Sequence, residues 1–282
     1  MLTRMSLGAA FCGCVLLLFL NVWGLVAPPD FRKNFAQPLL GYNEAISRID
    51  QASTTYGNTS RFLETSTRVY ADAKAYAWPE GMARVSFTDN WILALAAYLD
   101  PLIRRMGLKK DGDLFGQFES FRYERALGRG FGICSENALG FADLLNRRFG
   151  IDAHVVGLGG HVVVLARLEH PKRMLLDPSV GVSFPFGLHR ARHIPAELRL
   201  AYEKAGETEI PATYDHADKF VSPSAGAWGY SARQYWKQNV VRYFERAADV
   251  LKWIVPVASL LWLGLSLRRH QFTRREQELT MV

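Results

Sequence analysis

The sequence predicts an α+β fold flanked by an apolar helix at each end. Three observations lead there: two long uncharged runs close to the termini, a helix opening at the one cysteine outside them, and a series of short Val- and Leu-rich segments after that helix. With 282 residues the chain has length for one large domain or two small ones. A composition 49% hydrophobic and 22% charged excludes wholesale disorder, and three cysteines, two of them inside the first apolar run, exclude a disulfide framework.

The first run, Leu7 to Ala27, has twenty-one uncharged residues, with Asn21 its one strongly polar member. As a helix it reaches roughly 31 Å, close to the ~30 Å thickness of a bilayer's hydrocarbon. Arg4 flanks it on one side, and Pro28 and Pro29 stop it on the other. Residues 1–27 therefore read as a retained anchor. A cleaved signal peptide fits less well because Leu25 and Pro28 suit a cleavage site poorly, and Gly13-Cys14 matches a lipoprotein signal only weakly.

Thr59 to Ala75 and Asn90 to Met106 have helical patterning, the second with Thr88 or Asp89 as its cap and Gly107 beyond its end. Trp91, Leu95, Tyr98, Leu99 and Leu102 fall near one face and are expected in a core. A polar connection, Lys109 to Gly112, leads to a further helix within Leu114 to Leu127, where Tyr123 falls among phenylalanines. Residues 28–60 could cover a site or pack behind one.

Gly128 to Ile133 reads as a loop that delivers the chain to Cys134 and Ser135. Ala138, Phe141, Ala142, Leu145 and Phe149 then recur at helical spacing, Asp143 and Arg147 are an i,i+4 pair, and Gly150 supplies the stop. Cys134 falls at the start of that helix, where unpaired backbone N–H groups favour a thiolate and can receive a developing oxyanion. Ser135 is expected as a cap and Glu136 as an offset to the helix dipole. After Gly150 the period changes. Ile151–Gly157, His161–Leu168 and Met174–Asp177 read as three antiparallel strands, with turns at Leu158–Gly160 and Glu169–Lys172.

Thiol chemistry needs a sulfur nucleophile, an imidazole within proton-transfer distance and a carboxylate to hold the imidazole tautomer. Cys134, His161 and Asp177 supply these types in chain order. Residue type and spacing alone leave open the plainer reading of a buried cysteine with two turn residues.

Gly132-Ile133-Cys134-Ser135, the helix ending in Phe149-Gly150-Ile151, Gly160-His161-Val162-Val163 and Leu176-Asp177-Pro178 together resemble the sequence blocks of the bacterial transglutaminase-like superfamily. The resemblance covers about residues 115–185. It implies a papain-like core in which a helix-borne Cys134 is the nucleophile, His161 the general base and acid, and Asp177 its orienter. It also implies acyl transfer from an amide or ester through a thioester, as crosslinker, amidase or peptidase, whereas some members use the fold without catalysis. Tyr123, Arg129 and Asn137 are the candidates for assisting an oxyanion.

The other histidines carry weaker signals. His154 lies two residues from Asp152 on a strand and is expected in the core or at the surface. His189 and His193 are four apart, but no Cys, Asp or Glu completes a metal set beside them, and neither metal nor cofactor is expected.

Ala196 to Pro223 is polar and reads as loops and a short helix covering one side of the cleft. Tyr230 to Asp249 reads as an amphipathic helix leading into the second apolar run, Trp253 to Leu267, which lengthens to residues 250–267 if Lys252 snorkels. Arg268, Arg269, Arg274 and Arg275 follow in a basic tail, residues 268–282. By the excess of basic residues on the cytoplasmic side, both termini are expected in the cytoplasm and residues 28–249 outside it, in the periplasm of a bacterial inner-membrane protein. That outer segment holds 28 basic and 25 acidic residues with no basic tract, which argues against nucleic-acid binding. The expected partners are an envelope protein or peptide substrate and a surface-polymer export assembly. The competing function class is a noncatalytic peptide-binding scaffold in such an assembly.

Overall fold

The computed structural model describes residues 2–27, 39–76, 85–106, 120, 122–158, 160–168, 173–219 and 232–280. It shows a mixed fold of helices and antiparallel sheet. In chain order the first elements are α1 (Leu2–Val26), α2 (Tyr42–Tyr56), α3 (Ser60–Asp72), β1 (Ala75–Tyr76) and α4 (Phe87–Arg105). Next come α5 (Tyr123–Arg129), β2 (Phe131–Gly132), α6 (Cys134–Phe149), β3 (Asp152–Leu158), β4 (His161–Arg167), β5 (Arg173–Asp177) and β6 (Val182–Phe184). The chain closes with α7 (Leu188–Ala191), α8 (Ala196–Lys204), a 3-10 helix at Ile210–Lys219, and α9 (Ala232–Thr280). Two compact units result. One holds α1, α4 and α9 from Tyr243 onward, and the other holds the elements from α2 to β1 and from α5 to the 3-10 helix.

In the larger unit β3, β4, β5 and β6 lie side by side in chain order, antiparallel at each step. The three strands expected from the sequence are present, and β6 is an addition. Its three residues are too few to show a period. The sheet is apolar on both faces because both are covered: α6 packs on β3 and β4, while Val163, Leu175 and Phe184 join Leu198, Tyr202 and Tyr214 in a core on the other side.

α6 is amphipathic as expected, burying Ala138, Phe141, Ala142 and Leu145. Gly150 ends it in the left-handed conformation at φ 66°. Asn146 then ties the helix to β3, donating to the Ala153 carbonyl at 2.8 Å and accepting from the Ala153 N–H at 3.2 Å. At the same end Arg148 grips Asp50 of α2 through two hydrogen bonds, 2.6 and 2.8 Å. That contact lies at the opposite end of α6 from Cys134, so α2 packs behind the helix rather than over its start.

Several local expectations need correction. Gly128 and Arg129 belong to α5, and Phe131–Gly132 form a strand that pairs in parallel with Ala75–Tyr76, so the segment before Cys134 is not a loop throughout. Ser135 lies inside α6, whose cap position is Ile133 with no side-chain hydrogen bond. The helix expected to Ala75 ends at Asp72, because Ala75 is drawn into β1. Thr59 caps its start, accepting from the Phe62 N–H. Of the helix expected within Leu114–Leu127, residues 120 and 122–127 are described and 123–127 lie in α5, while the connection at Lys109–Gly112 and the turn at Glu169–Lys172 lie outside the described residues.

In the second unit, α1 and α9 contain runs long and apolar enough to cross a membrane, Leu7–Val26 and Tyr243–Arg269. α4 breaks at Asn90, whose backbone is extended at φ −156° and ψ 101°. The Asn90 side chain caps the main body of the helix, accepting from the N–H groups of Ile92 and Leu93 at 3.1 and 3.2 Å. Asn90, not Thr88 or Asp89, is therefore the cap. The same amide donates to Asp249 at 3.0 Å. Leu95, Tyr98 and Leu102, expected in a core, are exposed.

Pro256 lies inside α9 and has no N–H to give the carbonyl four residues earlier, that of Lys252. Two side chains from the other helices supply donors to that carbonyl: Asn21 of α1 at 2.7 Å and Trp91 of α4 at 3.3 Å. Asn21, the polar exception in the first apolar run, is 1% exposed. Lys252 in turn donates from Nζ to the Asp89 carbonyl at the α4 break, 2.6 Å away.

Candidate active site

Cys134 is the first residue of α6, partly buried and in no disulfide. The lead-in is fixed by β2, which pairs with β1 in the register Tyr76 to Gly132. Behind it sits a buried ion cluster. Glu136 accepts from the Arg129 guanidinium and from the Ser120 N–H at 3.1 Å, and Lys74 Nζ is 3.9 Å away. A Cβ on Gly132 would stand 2.5 Å from Glu136 Oε2 and 2.9 Å from both Asn137 Oδ1 and Lys74 Nζ, so a side chain here would push the polar ends of this cluster aside. Glu136 thus does more than offset a dipole. It ties the first turn of α6 to α5 and to the segment before β1.

His161 opens β4 and Asp177 ends the neighbouring strand β5, which brings the two side chains together across the sheet. His161 Nε2 lies 2.6 Å from Asp177 Oδ2, and both residues are buried. Cys134 is the other neighbour of the ring, close enough for its sulfur to act on the charge of His161. With Nε2 occupied by Asp177, Nδ1 is the ring nitrogen left for the sulfur. The three residues singled out from the sequence are therefore neighbours, with His161 hydrogen-bonded to Asp177 and Cys134 within electrostatic reach of the ring. Burial is the largest influence on the His161 ring and works against its charge. The Asp177 charge and hydrogen bond, with the contributions of Cys134, outweigh it and raise the pKa from 6.5 to about 10.

The Asp177 carboxylate accepts two more donors. Oδ1 takes the Ser179 N–H at 2.9 Å, and Oδ2 takes the Tyr202 hydroxyl at 2.9 Å. Tyr202 is itself 2.8 Å from the Tyr214 hydroxyl. Since the Tyr202 proton points to a carboxylate, Tyr214 is the donor between the two phenols. Both phenols have pKa values pushed well above 10, first by burial and then by the Asp177 charge, so they remain donors.

Tyr76, at the end of β1, is the remaining neighbour. Its ring meets the His161 ring edge-on at 6.3 Å, and Cys134 is near enough to act on its hydroxyl. Burial and then the Cys134 charge raise its pKa, which keeps the proton on the phenol.

The oxyanion candidates fare differently. Arg129 is buried against Glu136, Asn137 is buried with its amide 3.4 Å from the Gly132 carbonyl, and Tyr123 is buried at the start of α5. Tyr76, not one of these three, is the side chain seen at the sulfur. His154 pairs with Asp152 at 2.7 Å on the surface side of β3. His189 and His193 stack edge-on at 5.9 Å, and among the described residues no cluster of His, Cys, Asp and Glu could hold a metal ion.

The arrangement sets a thiol at a helix N-terminus, beside it an imidazole whose charged form the surroundings favour, and a carboxylate fixed by three donors. Comparison of the chain with protein-family models, with curated proteins and with solved structures finds no match.

Proposed function

We propose that this chain is a membrane-anchored cysteine acyl-transfer enzyme of the bacterial transglutaminase-like kind, acting on an amide or ester of an envelope protein or peptide. The observation that carries this reading is the place of the His161 ring, hydrogen-bonded to the Asp177 carboxylate and within electrostatic reach of the Cys134 sulfur. In the mechanism Cys134 attacks the carbonyl carbon as the thiolate of a thiolate–imidazolium pair, its proton already held on His161. The tetrahedral oxygen collects its charge near the N-terminal N–H groups of α6. Collapse breaks the bond to the leaving nitrogen or oxygen, which takes the proton from His161 Nδ1, and leaves a thioester on Cys134. Water or an amine then gives its proton to His161 as it attacks, the thioester bond breaks, and the thiolate–imidazolium pair returns. Asp177 holds the ring throughout and keeps its charge.

The same reading places the chain in a bacterial inner membrane with both termini cytoplasmic and the Cys134 unit periplasmic. The two apolar helices and the arginines after the second support that orientation. A surface-polymer export assembly is the partner proposed for an enzyme so placed.

Two measurements on membranes containing the full chain test the proposal. Iodoacetamide is expected to alkylate Cys134 fast and with little dependence on pH near neutrality, and His161→Ala to slow it. Sluggish alkylation, like that of an ordinary surface thiol, would favour a peptide-binding scaffold. Capture of a thioester-linked partner by wild type but not by Cys134→Ala identifies the substrate.

A further inference from the structure

We propose that α4 is a third membrane element, immersed in one leaflet without crossing it, with Leu95, Tyr98 and Leu102 against lipid acyl chains. This rests on the reading of α1 and α9 as membrane spans.

The first observation is where α4 belongs. It groups with the two apolar helices and packs on α1. At Gly24 the backbones meet so closely that a Cβ would fall 1.7 Å from the Thr88 carbonyl oxygen. Trp91 and Asn21 together serve the Lys252 carbonyl that Pro256 leaves without its helical donor. In lipid that service has to come from a neighbouring helix, because no water is there to give it. α4 is thus built into the packing of the spans.

The second observation is its surface. Asn90, Leu93 and Ala94 are buried, while Leu95, Tyr98 and Leu102 on another face are 41%, 74% and 50% exposed. A helix apolar on its inner and outer faces suits lipid rather than water. The exterior of α1 is likewise apolar, with Leu16 and Phe19 56% and 57% exposed.

The third observation is topological. The chain before α4 supplies α2, α3 and β1 to the larger unit, and the chain after it supplies α5, β2 and the sheet to that same unit. β1 and β2 pair directly. A helix entered from one folded unit and left into the same unit returns to the side from which it came. Its uncharged stretch agrees: the nine residues from Trp91 to Leu99 extend about 14 Å, under half of a hydrocarbon core of about 30 Å, before Asp100, Arg104 and Arg105.

The test uses the full chain carrying Cys12→Ser, Cys14→Ser and Cys134→Ser, reconstituted in phosphatidylethanolamine and phosphatidylglycerol vesicles. Nitroxide labels are placed one at a time through Leu95→Cys, Tyr98→Cys and Leu102→Cys. Leu16→Cys and Leu261→Cys serve as span references, and Arg48→Cys as a water reference. Collision with oxygen and with a water-soluble nickel chelate reports the surroundings. Labels on α4 are expected to collide with oxygen and not nickel, as the span references do. If the references read as lipid and the α4 labels meet nickel, α4 faces water and the proposal is overturned while the anchors stand. If the α4 labels meet neither agent, protein covers that face, a second copy or a partner, and the proposal is again overturned. If Leu16 and Leu261 also meet nickel, the spanning reading itself fails.

Discussion

The Asn21 side chain donates to the Lys252 carbonyl at 2.7 Å, the carbonyl that Pro256 leaves without a helical partner. A polar residue in one apolar run thereby answers a proline in the other, although 231 positions separate donor from acceptor.

This pairing predicts a coupled pair of substitutions. Asn21→Val removes the donor and should cost about 0.6–1.7 kcal/mol of unfolding free energy in detergent micelles. In a Pro256→Ala background the restored backbone N–H at that position serves the same carbonyl, so Asn21→Val should cost little there. Equal costs in both backgrounds, read from a double-mutant cycle of unfolding midpoints, would count against the pairing.

His161 predicts a pH dependence of stability. Its pKa in the fold is about 10 against the ordinary 6.5, so the imidazolium form is favoured by folding. The resulting stabilisation is complete below about 6.5 and is lost as pH rises through about 10. The urea midpoint of the wild type should therefore fall further across that interval than that of His161→Gln. Parallel curves for the two proteins would sink the charged imidazole.

In the proposed chemistry Tyr202 is a positioning residue that acts through Asp177, to which its hydroxyl donates. Tyr202→Phe removes a hydrogen bond to a carboxylate, worth about 1.5–3 kcal/mol, and a loss of that size in the transition state lowers kcat about 10- to 100-fold. Without the phenol the Asp177 charge is less shared and holds the imidazolium more firmly, so the alkaline limb of the rate profile should move up. A drop in stability with no movement of that limb would make Tyr202 a packing residue only.

Local signals made Cys134, His161 and Asp177 readable. Glycines at 150 and 160 punctuate the chain, α6 has four turns of period, and β3 and β4 have seven residues each. The partners of the triad lacked such signals. Tyr76 reaches Cys134 because a two-residue strand pairs with another about 55 positions away, and no periodicity exists in two residues. Tyr202 and Tyr214 lie in a segment whose overall polarity suggested a cover, whereas Leu198 and Tyr202, four apart on α8, mark a buried face in hindsight. Thr88, Asp89 and Asn90 are equally good capping types, so residue type alone does not select Asn90. Backbone geometry at position 90 decides between them.

The carboxylates at 136 and 124 separate buried from exposed charge in one domain. Glu136 is fully buried between Arg129 and Lys74, and Glu136→Gln would remove the negative charge that faces two cations out of water. The expected loss is about 3–5 kcal/mol. Glu124 meets Arg147 at 2.8 Å, but their side chains are 31% and 46% exposed, so Glu124→Gln should cost at most about 1 kcal/mol and less in high salt. Urea denaturation of the two variants measures the contrast. Because Glu136 also fixes the lead-in to Cys134, its variant should lose alkylation rate even below the urea concentrations that unfold it. A variant that is less stable but alkylates at the wild-type rate would confine Glu136 to holding the fold.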